Sequence, residues 1–168
     1  MIIPLVLALG GLLFSLAQDT RQQEIEERRA QAQRAAEEQR AQDEALQAYL
    51  EGMGSLLLDE DLRSSKADDE VRTLAEARTS TVLSRLDGSR KRSVVLFLYK
   101  SKLIQKDQPI VPLVDVDLSD ADLSDADLSD ADLRYADLSD ARGITSEDLE
   151  KQAKSLGGTT MPDKTKHD

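Results

Sequence analysis

The sequence predicts an α+β chain: an apolar N-terminal helix, a charged helical stalk, a small helical domain, and then a short coil of extended sides with a capping helix at its C-terminal end. Three observations carry this reading. Residues 1–17 hold no charged side chain, residues 18–51 hold neither glycine nor proline, and residues 111–140 repeat every five residues around a leucine. Five is the period of neither helix nor strand, so the last segment needs a geometry of its own.

"MIIPLVLALGGLLFSLA" (1–17) would run ~26 Å as a helix at about 1.5 Å per residue, a little short of the ~30 Å hydrocarbon core. The expectation is a transmembrane anchor, with the membrane as a partner of residues 1–17. Competing readings are a cleaved signal peptide, with small Ser15 and Ala17 before Gln18, and an apolar start that merely packs. Arg21, Arg28, Arg29, Arg34 and Arg40 all follow the span. By the positive-inside rule the protein would be single-pass, with the bulk of the chain in the cytoplasm. An uncharged start this close to the span also fits an initiator lying upstream.

Residues 18–51 consist mainly of Gln, Glu, Arg and Ala, which are strong helix formers. Glu24 and Arg28 form an i,i+4 pair in the favourable order. The apolar stripe is weak: Ile25, Ala32, Gln39 and Leu46 share one heptad position, and Arg28, Ala35, Gln42 and Tyr49 the other. A robust coiled coil would not place arginine and two glutamines there, so the segment reads as a solvated stalk with weak self-association as the alternative.

Residues 52–104 have the pattern of a small helical domain. Val71, Leu74, Ala75, Val82, Leu83 and Leu86 fall near one face of a first helix, with Gly88 as its stop. A second helix opens at Ser89 and carries the unbroken apolar run 94–99, which is too apolar for a surface helix and belongs at the centre. The pair resembles a helix-turn-helix, and Arg85, Arg90, Lys91 and Arg92 form the most basic patch in the chain. DNA binding is one reading of that patch; contact with acidic groups elsewhere in the protein, or with a membrane surface, is the other.

The quintets are VPLVD, VDLSD, ADLSD, ADLSD, ADLRY and ADLSD. Leu113, Leu118, Leu123, Leu128, Leu133 and Leu138 are their centres, and Val111, Val116, Ala121, Ala126, Ala131 and Ala136 lie two positions earlier. On a helix, steps of five rotate the leucine by about 140° and scatter it around the axis. On an uninterrupted strand, odd steps flip it to the opposite face. If a corner is turned in every quintet, each pair can face a common axis. Successive coils then stack at a strand spacing of about 4.8 Å, and the Ser and Asp after each leucine suit the corners.

A run of A-D-L-x-x quintets closely resembles the pentapeptide-repeat family. The resemblance implies a right-handed four-sided β-helix with four quintets per coil. The apolar start, the "LDGSRKRSVVLFLYKSKLI" stretch and the "AKSLGGTTMPD" tail are similar to membrane-anchored bacterial members. Six quintets make only about one and a half coils at that count, fewer units than stacked architectures need to stand alone. The expected caps are the helical domain upstream, joined through "QKDQPIVP", and a helix in "ITSEDLEKQAKSLGG" downstream. There Thr145 is the N-cap, Asp148 its partner, Leu149, Ala153 and Leu156 the apolar face, and Gly157 the stop. Met161 stands where a further quintet would have its leucine. The expected divisions are therefore 52–104, 111–143 for the β-helix, 144–163 for the capping helix and a final irregular rung, and 164–168 as a disordered tail.

Function is read mostly by exclusion. The chain has no cysteine, and its one histidine, His167, lies in the polar tail, so thiol chemistry and most general-base chemistry lack their residues. No phosphate loop or set of differently tuned carboxylates stands out. The expectation is a protein that is not an enzyme and has no cofactor. A net charge of −11 argues against nucleic acid as a partner. The outer face of the coil is acidic, with Asp115, Asp117, Asp120, Asp122, Asp125, Asp127, Asp130, Asp132, Asp137 and Asp140. Asp117 with Asp137, and Asp120 with Asp140, should stack one above the other. Screened solvation, weak Ca²⁺ binding and mimicry of nucleic acid all fit such rows. The mimicry reading rests on the resemblance, because some pentapeptide-repeat proteins shield DNA gyrase with an acidic rod. The combined expectation is a membrane-anchored protein-interaction or scaffold module with an unknown protein partner; the alternative is a DNA- or gyrase-directed regulator.

Overall fold

A computed structural model describes the backbone of residues 3–105, 109–124 and 126–168, and side chains within those ranges from residue 21 onward. The described helices are α1 (Ile3–Leu58), α2 (Glu70–Leu83), α3 (Gly88–Lys100) and α4 (Ser146–Gln152), with a 3-10 turn at Leu62–Ser64. The chain divides into two compact units, 1–41 and 42–168. In the first unit α1 is a single helix whose described side chains are almost all exposed, as its Gln, Glu and Arg content dictates. Among the described residues no helix is long and apolar enough to cross a membrane. This corrects the expectation of a transmembrane, single-pass protein with its bulk in the cytoplasm. The apolar segment is the opening of one long helix that runs without a break into charged sequence, and the side chains of residues 1–20 lie outside the described residues.

In the second unit the last turns of α1, the pair α2 and α3, and the repeats share one hydrophobic core, which runs from Tyr49 and Met53 to Leu156 and Met161. Val94, Val95 and Leu98 of α3 are fully buried within it. Tyr49 packs edge-on against Phe97, with ring centroids 6.2 Å apart. Its hydroxyl lies 3.0 Å from Thr79 Oγ1, and Thr79 spends its own proton on the Ala75 carbonyl, so the tyrosine is the donor. Burial pushes the Tyr49 hydroxyl well above the usual phenol range.

Gly88 does not stop α2. It is the first residue of α3, and Asp87 rather than Ser89 caps that helix by accepting from the Arg90 N–H at 3.0 Å. The glycine is required by packing: a Cβ there would run into the Asp120 carbonyl oxygen, and the Gly88 carbonyl accepts from the Asp122 N–H at 3.0 Å. The start of α3 thus lies directly on the repeats.

The repeats climb as a coil, but the described residues contain no β-strand and no sheet; they pair only through isolated bridges. This corrects the expected β-helix. In each quintet the residues after leucine turn a corner, leaving only the Ala-Asp-Leu stretch extended, and one bridged residue per side is too little to make a strand. Successive turns of the chain are still joined. Leu113, Leu118 and Leu123 donate to the carbonyls of Asp132, Asp137 and Arg142, and Asp117 bridges Asp137 in parallel.

The spacing between turns changes once. Asp117 pairs with Asp137 and Asp122 with Arg142, twenty residues on, whereas Asp132 pairs with Ser155 and Asp137 with Thr160, twenty-three residues on. The difference lies in α4. This helix does not close an open end; it is inserted within a side of the coil, between the pairing of Leu123 with Arg142 and that of Asp130 with Gln152. Thr145 and Asp148 cap it reciprocally, and it ends at Gln152, before the expected stop at Gly157. The coil then resumes, with Met161 buried inside it. Residues 164–168, expected to be disordered, fold back instead: His167 N–H donates to Thr159, Gly158 N–H donates to His167, and Lys166 bridges Thr160. Those bonds satisfy backbone groups of the last coil that would otherwise face water as an open edge.

Candidate functional site

The five quintets centred on Leu118, Leu123, Leu128, Leu133 and Leu138 close their corners with the same bond. The Ala N–H closes a four-residue turn onto the preceding Leu carbonyl: 121 to 118, 126 to 123, 131 to 128, 136 to 133 and 141 to 138, at 3.0–3.2 Å. Before Ala121, Ala131, Ala136 and Ala141 the chain takes a left-handed backbone, with φ of 57° at Asp120, 63° at Asp130, 62° at Tyr135 and 58° at Asp140. Aspartate tolerates that conformation better than most residues, which accounts for the acid at the fifth position. The second-position aspartate has a different task. Asp117, Asp122, Asp127 and Asp137 accept from the Ser N–H two residues on at 2.9–3.0 Å, and Asp132 accepts from the Arg134 N–H at 3.3 Å. These are Asx turns that open each corner.

Hydrogen bonds from Ser124 hold the Asp122 carboxyl below the usual range, as Ser129 and then Tyr99 do for Asp127, and Arg134 for Asp132. At Asp117 burial works to raise the value, but Lys91 and Ser119 outweigh it and the net shift is downward. The corner residues Asp115, Asp120, Asp130 and Asp140 are exposed. Asp125 lies outside the described residues.

The repeat centres Leu113, Leu118, Leu123, Leu128, Leu133 and Leu138 all fill the interior, each at most 1% exposed. Val111, Val116, Ala121, Ala131 and Ala136 are buried beside them. Ala126 is only half-buried. Asp117 and Asp137 stack, as do Asp120 and Asp140, whose backbones are joined through the Asp120 N–H to Ser139 bond. Cations offset the repulsion: Lys91 lies 2.8 Å from Asp117, Lys164 lies 2.8 Å from Asp140, and Arg92 lies 3.7 Å from Asp122. Among the described residues no group of three or more metal-binding side chains converges.

The basic patch is drawn inward. Arg90 pairs with Asp43 at 2.7 Å and with Asp87, and Lys91 is only 4% exposed, bonding both Asp117 and the Ser119 carbonyl. Three of the four basic residues singled out from sequence, Arg90, Lys91 and Arg92, thus meet carboxylates of the same chain. The turn-capping role of the second-position aspartates escaped the sequence reading. The signal available for it was the constant spacing of Asp two residues before Ser, which is the Asx-turn spacing.

Residues 113–142 match the family model described as pentapeptide repeats (8 copies), and that stretch holds the six leucine centres. Residues 113–142 are a run of pentapeptide repeats. The match ends at Arg142, and α4 lies after it. No curated protein and no solved structure matches the chain. The pentapeptide-repeat family suggests a protein-interaction module, and its members are generally non-enzymatic.

Proposed function

We propose that this chain is a non-enzymatic scaffold that docks a protein partner on the outward face of its coil. The observation that carries the reading is the division of labour among the aspartates. Second-position carboxylates are engaged by the turns, while Asp115, Asp120 and Asp130 project from corners whose own N–H groups are tied to the next turn of the coil at Arg134, Ser139 and Gln152. Carboxylates held at fixed spacing on a stiff backbone suit a basic protein surface, where complementary charge sets orientation and encounter rate. The DNA-directed alternative has less support, because Arg90, Lys91 and Arg92 are occupied by Asp43, Asp87, Asp117 and Asp122.

The test is affinity capture with the full chain and with Asp115→Asn, Asp120→Asn and Asp130→Asn combined. Asparagine keeps the left-handed corner and removes the charge. The wild-type chain should retain a partner that the triple variant loses at unchanged circular dichroism; equal capture by both would sink the reading. A gel shift with duplex DNA and a gyrase supercoiling assay address the alternative, and retardation or inhibition in either would overturn the scaffold.

A further inference from the structure

We propose that the chain pairs with a second copy of itself through the groove between α1 and α2, giving a two-fold dimer of helical hairpins. The groove encloses about 450 Å³ and is floored by Ala45 and Ala48 of α1 and Ala77 of α2, with the Arg78 guanidinium lying against Gly52. The alanine side chains let another helix approach closely, since interaxial distance follows the size of the residues at the contact. Along α2 the same face continues through Leu74, Arg78 and Thr81 at the i, i+4, i+7 spacing of one helical stripe, and Arg85 follows in the turn just past the helix end. Leu74, 43% exposed, lines the neighbouring hollow, which shares Gly52 and Arg78 with the groove.

Charge identifies the occupant. Arg78 and Arg85 line the groove one heptad apart, and among the described residues neither has an ion-pair partner, in contrast to Arg90, Lys91 and Arg92 of α3. A fitting helix would carry two carboxylates one heptad apart beside a small-residue face. The chain itself has that helix. Glu44 and Glu51 of α1 are exposed, seven residues apart, and flank Ala48. Within one copy this segment is a wall of the groove and cannot also enter it. From a second copy it can, and the exchange is reciprocal: Glu44 and Glu51 of each copy face Arg78 and Arg85 of the other. Such an isologous contact closes on itself and stops at two copies.

Sedimentation velocity on the full chain tests this. Wild type should sediment as a dimer that weakens with salt. Glu44→Arg with Glu51→Arg, and Arg78→Glu with Arg85→Glu, should each sediment as monomers, and an equimolar mixture of the two should recover the dimer mass. Ala48→Glu, an exposed position, is a further variant expected to be monomeric. Circular dichroism checks that all are folded. A monomeric wild type, folded reversals that stay associated, or a folded mixture that stays monomeric would each overturn the proposal. The corner asparagine variants leave this dimer intact, so its failure and the failure of the coil-docking reading are separable.

Discussion

Lys91 Nζ lies 2.8 Å from Asp117 Oδ1, joining the first turn of α3 to the second quintet of the coil. The lysine is almost wholly buried, while the aspartate side chain keeps 41% of its exposure. Removing the cation leaves a carboxylate that water can reach, together with a Ser119 carbonyl that loses a charged donor. Lys91→Ala should cost about 2 kcal/mol, in the range of hydrogen bonds to charged groups. Chemical denaturation with an unchanged m-value is the check, and a loss below a few tenths of a kcal/mol would refute the anchoring role.

Gly88→Ala offers a test by sign. In an ordinary helix the exchange gains up to about 1 kcal/mol. Here the new methyl meets the Asp120 carbonyl, so α3 must move off the coil and the variant should lose about 1–3 kcal/mol, as overpacked sites do. A raised melting temperature would contradict the close approach.

The corners make a prediction about backbone rather than contacts. Asp130 has φ of 63°, a conformation that a β-branched residue adopts only under strain. Asp130→Val should cost about 1–2 kcal/mol, and Asp130→Gly should stay near neutral. Equal melting temperatures for the two would argue against a conformational role for the aspartate.

Acid should loosen the coil. The carboxyls of Asp117, Asp122, Asp127 and Asp132 titrate below their ordinary range in the folded chain. A depressed folded value means that the contribution to stability is present above the unfolded value of about 3.9 and is lost as pH falls through the folded one. Melting temperature should therefore hold down to about pH 4 and decline below it. A chain that gains stability between about pH 4 and pH 2 would contradict the Asx-turn role.

Leu128 is fully buried at the centre of its quintet. Leu128→Ala should lose about 2–5 kcal/mol, the usual cost of a cavity in a packed interior. A loss within about 0.5 kcal/mol would show that the coil interior is not a core.

The inward leucines were legible because inside and outside are written in the repeat itself, and Met161 was legible because it keeps the leucine's place. The strands were over-read: five residues that include a corner leave too short an extended run, as the single bridges at Asp117 and Asp122 show. The anchor was over-read in a similar way, from composition over 1–17 taken apart from the helix that continues through Leu58. The partners of Lys91 and Gly88 were not legible. Each depends on a contact about thirty residues away that no local pattern announces. The placement of α4 was half legible, since Thr145 and Asp148 mark its start but nothing marks the side of the coil into which it is set.

That placement bears on a problem peculiar to repetitive chains. Neighbouring quintets here are close to interchangeable, so one turn of the coil could slide along the next by five residues and still meet alanine with alanine and leucine with leucine, a degeneracy that weakly specified registers invite. The α4 insert breaks it. A lengthened segment fits over one side only, and after any slide the Thr145 cap and buried Leu149 would stand over the wrong quintet. The least repetitive part of the coil is what gives its repetitive part a single alignment.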